Sequence, residues 1–283
     1  MDDIKLLMAD RSERCKLRIT GPQRAWFLHQ IMTQAFEDIQ PGEARDTAMI
    51  TAHGRMVGFM ETLATDDALL LHFEPELRET LPDAIRRYVF ATQVEIEDVT
   101  EEMGLILVVG DRWREVAEGL EPGPAWPHET ASLGHAAGYV WCSRSEVPAL
   151  LEALKSVGAT TATEEDLELL RIRSGVARWG REMDTKTLPQ EAGIEERAVH
   201  FDKGCYVGQE AMAKIHFRGK VNRRLARVNA SGPVTPGSKV TSADAPVGVV
   251  TSAVGSEGLA ILRYTVEGGA SVEIEGVQAK VLT

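Results

Sequence analysis

The pattern of the chain changes near residue 221, and this constrains the fold more than any other feature. Upstream, strand-like runs alternate with helical periodicity. Downstream only short β-rich runs occur, at 221–230, 238–241, 246–254, 258–265 and 271–282, with Gly/Pro turns at 232–237 and 255–258. Short strands at regular spacing close into a small barrel or pack as a sandwich. The expectation is therefore an α+β protein, with an α+β region over 1–220 followed by an all-β domain over 221–283.

Upstream, residues 15–19 alternate as a strand, and Thr20-Gly21-Pro22 turns the chain into a helix carrying Trp26, Phe27, Ile31 and Met32 at helical spacing. Strands are expected near 46–52, 56–64, 68–73, 93–98, 104–110 and 138–142, and helices at 75–90 and 145–157. The proline-rich stretch 121–128 reads as a surface loop. Thr163, followed by Glu164, Glu165 and Asp166, opens another helix as its N-cap, with negative charge in the first turn. From about 175 to 205 glycines and Pro189 interrupt any regular pattern. An irregular run of that length inside a compact protein is usually functional.

Composition narrows the class. Hydrophobic residues make up 43% and charged residues 26%, as in ordinary soluble globular proteins. No apolar run approaches the roughly 20 residues of a membrane helix. Met1-Asp2-Asp3-Ile4-Lys5 lacks the basic start and apolar stretch of a secretory signal, so a cytoplasmic location with no membrane association is expected. Cys15, Cys142 and Cys205 form no C-x-x-C pair, which argues against a disulfide framework or a self-contained zinc or iron–sulfur site. The formal charge of −12 disfavours wrapping nucleic acid. A basic stretch from Lys214 to Arg227 is either a solvated charged face or a local binding patch.

Lys203-Gly204-Cys205-Tyr206-Val207-Gly208-Gln209-Glu210 packs two glycines, a thiol and a cation into eight residues. Glycines allow backbone amides to approach a ligand. Two apart on an alternating strand, Lys203 and Cys205 would share a face, and the cation would favour the thiolate. The other reading of the same residues is a buried cysteine with Lys203 in solvent. His200 and His216 flank the segment without a standard ligand spacing, so no metal is expected there.

This octapeptide resembles the signature of YgfZ-type proteins, a branch of the glycine-cleavage T-protein (aminomethyltransferase, GcvT) superfamily that includes the mitochondrial iron–sulfur assembly factor. Leu170 to Gly175 resembles the family's L-R-x-x-x-G element, Trp179-Gly180-Arg181-Glu182-Met183-Asp184 its Y-G-x-E-M-D element, and Leu188-Pro189-Gln190 the segment before the signature. Leu17 to Gly21 with Phe27-Leu28, and His53 to Val57, resemble its opening strand–helix and hairpin. The resemblance implies a multi-module fold around a central folate cleft, with a second module inserted at about 46–130 and a C-terminal β-barrel.

It also implies a tetrahydrofolate ligand. Glu182 would accept the pterin edge, Trp179 would stack on the ring, and Lys203 and Arg218 would meet the glutamate tail or a phosphate-bearing partner. Two departures stand out. Gly58 and Phe59 occupy the positions of the T-protein's aspartates, and Gln209 replaces a basic residue. The resemblance thus points to a folate-binding factor that supports the assembly or repair of iron–sulfur enzymes, and tRNA modification, working with iron–sulfur assembly or client proteins. Cys205 would be its functional residue, as nucleophile, single-thiol cluster ligand or redox contact. The alternatives are an aminomethyltransferase, which would need an acid such as Glu61, and an RNA- or protein-binding module using the basic stretch.

Overall fold

The computed structural model describes residues 5–120 and 126–282, with the side chain of Arg218 also outside the description. An antiparallel sheet, a mixed sheet and a barrel organise the chain. The first sheet holds β2 (Cys15–Thr20), β3 (Ala44–Ile50), β4 (Met56–Ala64), β5 (Ala68–Phe73) and β6 (Glu95–Asp98) in the order β3-β4-β5-β2-β6. The second holds β1 (Leu7–Asp10), β7 (Met103–Val109), β8 (Trp126–Glu129), β9 (Ala137–Ser143) and β10 (Thr160–Thr161) in the order β10-β1-β7-β9-β8. Strand β1 belongs with β7, so the whole first sheet is inserted between neighbours of the second. The expected insertion at 46–130 coincides with neither sheet: the inserted unit runs from β2 to β6, because β2 pairs with both β5 and β6.

Strand alternation explains how the sheets stack. All six residues of β5 are buried: Leu69, Leu71 and Phe73 point to one side, Ala68 and Leu70 to the other. The first set meets α1 (Arg24–Ile31) and α2 (Thr80–Arg86) through Phe27, Leu28, Leu81 and Ile85. The second set meets Leu105, Leu107, Tyr139 and Trp141 of the other sheet. That sheet's far face, with Ile106, Val108 and Val140, is covered by α3 (Trp113–Glu118) and α4 (Val147–Ser156).

Two local expectations change. The helix expected over 75–90 splits into a 3-10 turn, Pro75–Leu77, and the shorter α2. Of the loop expected over 121–128, residues 121–125 lie outside the described residues, while Trp126 to His128 begin strand β8. Pro127 is tolerated because β8 is an edge strand paired on one side, where a missing N–H costs nothing.

Helix α5 (Glu164–Ser174) starts at the capping box of Thr163 and Asp166 and ends at Gly175, which is left-handed at φ 70°. Irregular chain follows, broken by α6 (Glu195–Ala198), up to α7 (Gln209–Arg218). Strands β11 (Arg223–Ala230), β12 (Lys239–Ser242), β13 (Ala245–Val254), β14 (Glu257–Arg263), β15 (Ser271–Ile274) and β16 (Val277–Leu282) close a barrel in the order β11-β14-β13-β12-β15-β16. Its interior is aliphatic, with Val228, Val240, Val250, Leu262, Ile274 and Val281. Among the described residues no helix is long and apolar enough to cross a membrane.

Candidate functional site

The segment from Lys203 to Gly208 is a loop ahead of α7, so strand alternation does not apply to it. The result inverts the reading of a buried thiol and a solvated cation. Cys205 is exposed, whereas Cys15 and Cys142 are buried. Lys203 turns inward, and its Nζ donates to the carbonyls of His29, Met32 (2.7 Å) and Gln34 (2.9 Å) around the end of α1. Three N–H donors meet three acceptors, which spends the ammonium. The same Nζ lies 4.7 Å from the centre of the Tyr206 ring. Burial lowers the Lys203 pKa to about 7.

Gly208 serves packing. At φ 85° it is left-handed, and a Cβ there would stand 2.4 Å from the Thr51 carbonyl oxygen on the β3–β4 hairpin. The segment is therefore a pedestal pinned to α1 and to the hairpin, with Cys205 on its outer side.

A cavity of about 70 Å³ lies between the two sheets and residues 177–183, lined by Trp179, Met183, Phe59, Glu61, Arg14 and Tyr139 among others. Phe59 and Glu61, two apart on β4, both reach it. Gly58 faces the other way, and a Cβ on it would lie 2.8 Å from Leu81 of α2. Of the two positions where the T-protein resemblance places aspartates, Phe59 faces the cavity and Gly58 does not. The carboxyl present is Glu61, which also lines an outer polar cleft of about 520 Å³ together with Asp46, Arg197 and His200. Glu61 and Arg197 thus stand between the inner cavity and the outer cleft.

The electrostatics there are concentrated. Asp46 and Glu61 are cross-strand partners. Arg197 donates to Asp46 at 2.6 Å and lies 4.9 Å from the centre of the Phe59 ring. Burial, reinforced by Asp46, pushes the Glu61 pKa up to about 7. Arg14 pairs with Glu74 and donates through Nε to His72 Nδ1 at 2.9 Å. Burial keeps His72 and His128 neutral: His72 is driven well below the ordinary imidazole range and His128 down to about 3.

Glu182 is not among the cavity-lining residues. Its carboxylate is fully buried and accepts hydrogen bonds from Arg171 Nη1 (2.8 Å), Arg178 N (3.1 Å) and Ser252 Oγ of the barrel (2.6 Å). Arg171 does line the cavity and also pairs with Glu168. The structure thus brings Trp179 to the cavity wall, puts Glu182 one step behind it, and sets Lys203 and Cys205 apart from both. The side chain of Arg218 lies outside the described residues. Arg14, Glu61, His72, His128 and Arg197 converge from five separate elements or loops. Among them only Glu61 stood out in the sequence, for its nearness to the missing aspartates.

The architecture defines a class. A glycine cleavage system aminomethyltransferase T from Bartonella henselae superposes with a TM-score of 0.88 over 99% of this chain and 86% of its own, at 14% identity, so the fold is that of the glycine-cleavage T-protein. Residues 222–283 match the family described as CAF17, C-terminal beta-barrel domain. A protein of Arabidopsis thaliana named as a chloroplastic transferase is 27% identical over 90% of this chain and 63% of its own length. The tRNA-modifying protein YgfZ of Hamiltonella defensa is 27% identical over 74% of this chain and 65% of its own. The mitochondrial iron–sulfur cluster assembly factor of Mus musculus is 34% identical over 34% of this chain and 29% of its own. The chain therefore matches less than two thirds of each of these three relatives' lengths. The chain is thus similar to proteins of the YgfZ and GcvT type in sequence and shares the GcvT fold.

Proposed function

We propose that the protein is a tetrahydrofolate-binding factor that supports iron–sulfur enzymes and tRNA modification, with Cys205 acting at its surface toward a partner. The observation that carries this reading is the separation of two features: an exposed thiol on a rigid pedestal and an enclosed polar cavity elsewhere. A thiol used inside the cavity would have to face it. One used with another protein has to be exposed, and one thiol cannot hold a cluster that normally takes four protein ligands. The names of the YgfZ and iron–sulfur assembly relatives support this assignment.

For the folate, the support is the aromatic Trp179 beside guanidinium and carboxyl groups on one cavity wall. At about 70 Å³ the inner cavity holds a few waters and no fused heterocycle, so binding would use the outer cleft and displace Glu61 and Arg197, which line both spaces. Glu182 then acts through Arg171, which it holds on the wall. Calorimetry with reduced folate should give saturable binding that weakens about tenfold in Glu182→Ala, with folding checked by circular dichroism. No heat at millimolar folate would remove the folate half of the proposal. Loss of the gene should lower iron–sulfur enzyme activity, restored by the wild type and not by Cys205→Ala; full rescue by that variant would remove the role of the thiol.

A second reading, aminomethyl transfer, is favoured by Glu61 alone, an acid on the cavity wall beside Phe59. Methylene-tetrahydrofolate formed from an aminomethyl-loaded carrier, and abolished by Glu61→Gln, would establish it in place of the first.

A further inference from the structure

Between the two sheets, beside the apolar contact, lies a polar knot of which the folate reading uses only Glu61. Glu61 and His72 are cross-strand partners on β4 and β5, and His128 reaches them from β8 of the opposite sheet. One donor atom from each lies within 4.8 Å of the other two, and all three residues are buried, at 3%, 0% and 2% exposure. Among the described residues His72 Nε2 and both nitrogens of His128 have no hydrogen-bond partner. Only Thr130 donates to Glu61. Orphaned buried polar atoms cost about 1–3 kcal/mol each, and one nitrogen from each histidine meets a Glu61 oxygen at one point, which calls for something between them.

We propose that Glu61, His72 and His128 form a binding site for one divalent transition-metal ion of the zinc type. Two neutral imidazoles and a carboxylate match the donor preference of zinc, and three protein ligands leave a position open. Of the three ligands, Glu61 lines the inner cavity. The rings are held in place: His72 packs edge-on against Tyr139 with centroids 4.5 Å apart, and His128 stacks on the same tyrosine at 5.8 Å. Bonds of about 2.1 Å place tetrahedral donors about 3.4 Å apart, so donors up to 4.8 Å apart close by up to about 1.4 Å on binding, by side-chain rotation.

The fixed charges around the trio balance, with the carboxyls of Asp46, Glu61 and Glu74 set against Arg14, Arg197 and Lys16, so the charge of the ion is met chiefly by Glu61 itself. Arg14 is the opposing element. By donating to His72 Nδ1 it fixes the proton on Nε2, the nitrogen left without a partner and so the one available as a ligand. Metal binding shifts that proton to Nδ1 and turns the Arg14 Nε–H away, while Arg14 keeps Glu74.

The proposal is independent of folate. Purified protein, stripped with chelator and titrated with Co²⁺, should bind one ion with the visible bands of a four- or five-coordinate site, displaced by Zn²⁺. His128→Gln should weaken binding at least about 100-fold, more than loss of a supporting partner usually costs. His216→Gln, which alters an exposed histidine paired with Glu195, should leave it unchanged. Arg14→Gln should tighten it. If His128→Gln fails to fold, X-ray absorption of the wild-type cobalt protein decides, with two imidazoles expected in the first coordination sphere. Absence of the bands, an oxygen-only sphere, or binding unaffected by His128→Gln in a folded variant would overturn the assignment and leave a hydrogen-bonded or hydrated knot.

Discussion

At the scale of single residues, Lys203 shows how a recognisable motif can mislead about its own chemistry. The octapeptide carries the resemblance, and a lysine two residues from a cysteine invites the idea of an activated thiol. Yet the ammonium is spent on three carbonyls around the end of α1. Lys203→Met should leave those carbonyls without donors and cost about 2–4 kcal/mol in denaturant unfolding. The pH dependence has a definite sign. Unfolded, Lys203 titrates near the ordinary lysine value of about 10.4; folded, burial brings it to about 7, against the pull of the carbonyls. Between these values the unfolded chain binds the extra proton, so this residue's contribution is present above the upper value and lost as pH falls through the lower. The wild type should therefore gain stability relative to Lys203→Met between about pH 7 and about pH 10, measured as the difference of two denaturation series. A flat difference would show that the carbonyl bonds cancel the burial effect.

At the scale of elements, local rules were legible and convergence was not. Thr163 announces its helix because capping is a contact over three residues, and the barrel strands announce themselves by alternation. Strand β8 was hidden by Pro127, since only its position at a sheet edge makes a proline acceptable there. With β8 went His128, and with His128 any chance of seeing it meet Glu61 and His72. Glu182 was found by resemblance, but its partners Arg171 and Ser252 lie 11 and 70 positions away, a distance that no spacing argument spans. Because Glu182 shares the buried Arg171 guanidinium with Glu168, Glu182→Gln should destabilise by about 1.5–3 kcal/mol, whereas Ser252→Ala should cost about 1 kcal/mol. By contrast, the exposed Arg173–Glu257 pair, also between α5 and the barrel, is worth less than about 1 kcal/mol. Urea melts of these variants rank them directly, and equal losses from Glu182→Gln and Glu257→Gln would contradict the argument.

At the scale of the whole molecule, the barrel is more than an appendage. Helix α5 packs on β13 and β14, and Ser252 completes the shell around Glu182, whose neighbour Trp179 forms part of the cavity wall. A chain ending at residue 221 should therefore melt at a lower temperature than the full chain and lose folate affinity, read by calorimetry on both. A fragment with undiminished affinity would confine the site to the two sheets. The C-terminal barrel was legible because strand-only patterning begins near residue 221. The order of the sheets was not, because pairing of β1 with β7 spans about ninety residues of unrelated pattern.

That pairing also governs the order in which the chain acquires structure during synthesis. Strand β1 is made first, but its partner β7 is complete only after residue 109 and its other neighbour β10 only after residue 161. The first sheet, by contrast, is closed by β6 at residue 98. A nascent chain emerging from the N-terminus can thus finish the inserted sheet while the leading strand still waits unpaired. The second sheet pays a larger loop-closure entropy and forms later. The knot of Glu61, His72 and His128, which needs both sheets, can be assembled only at that later stage.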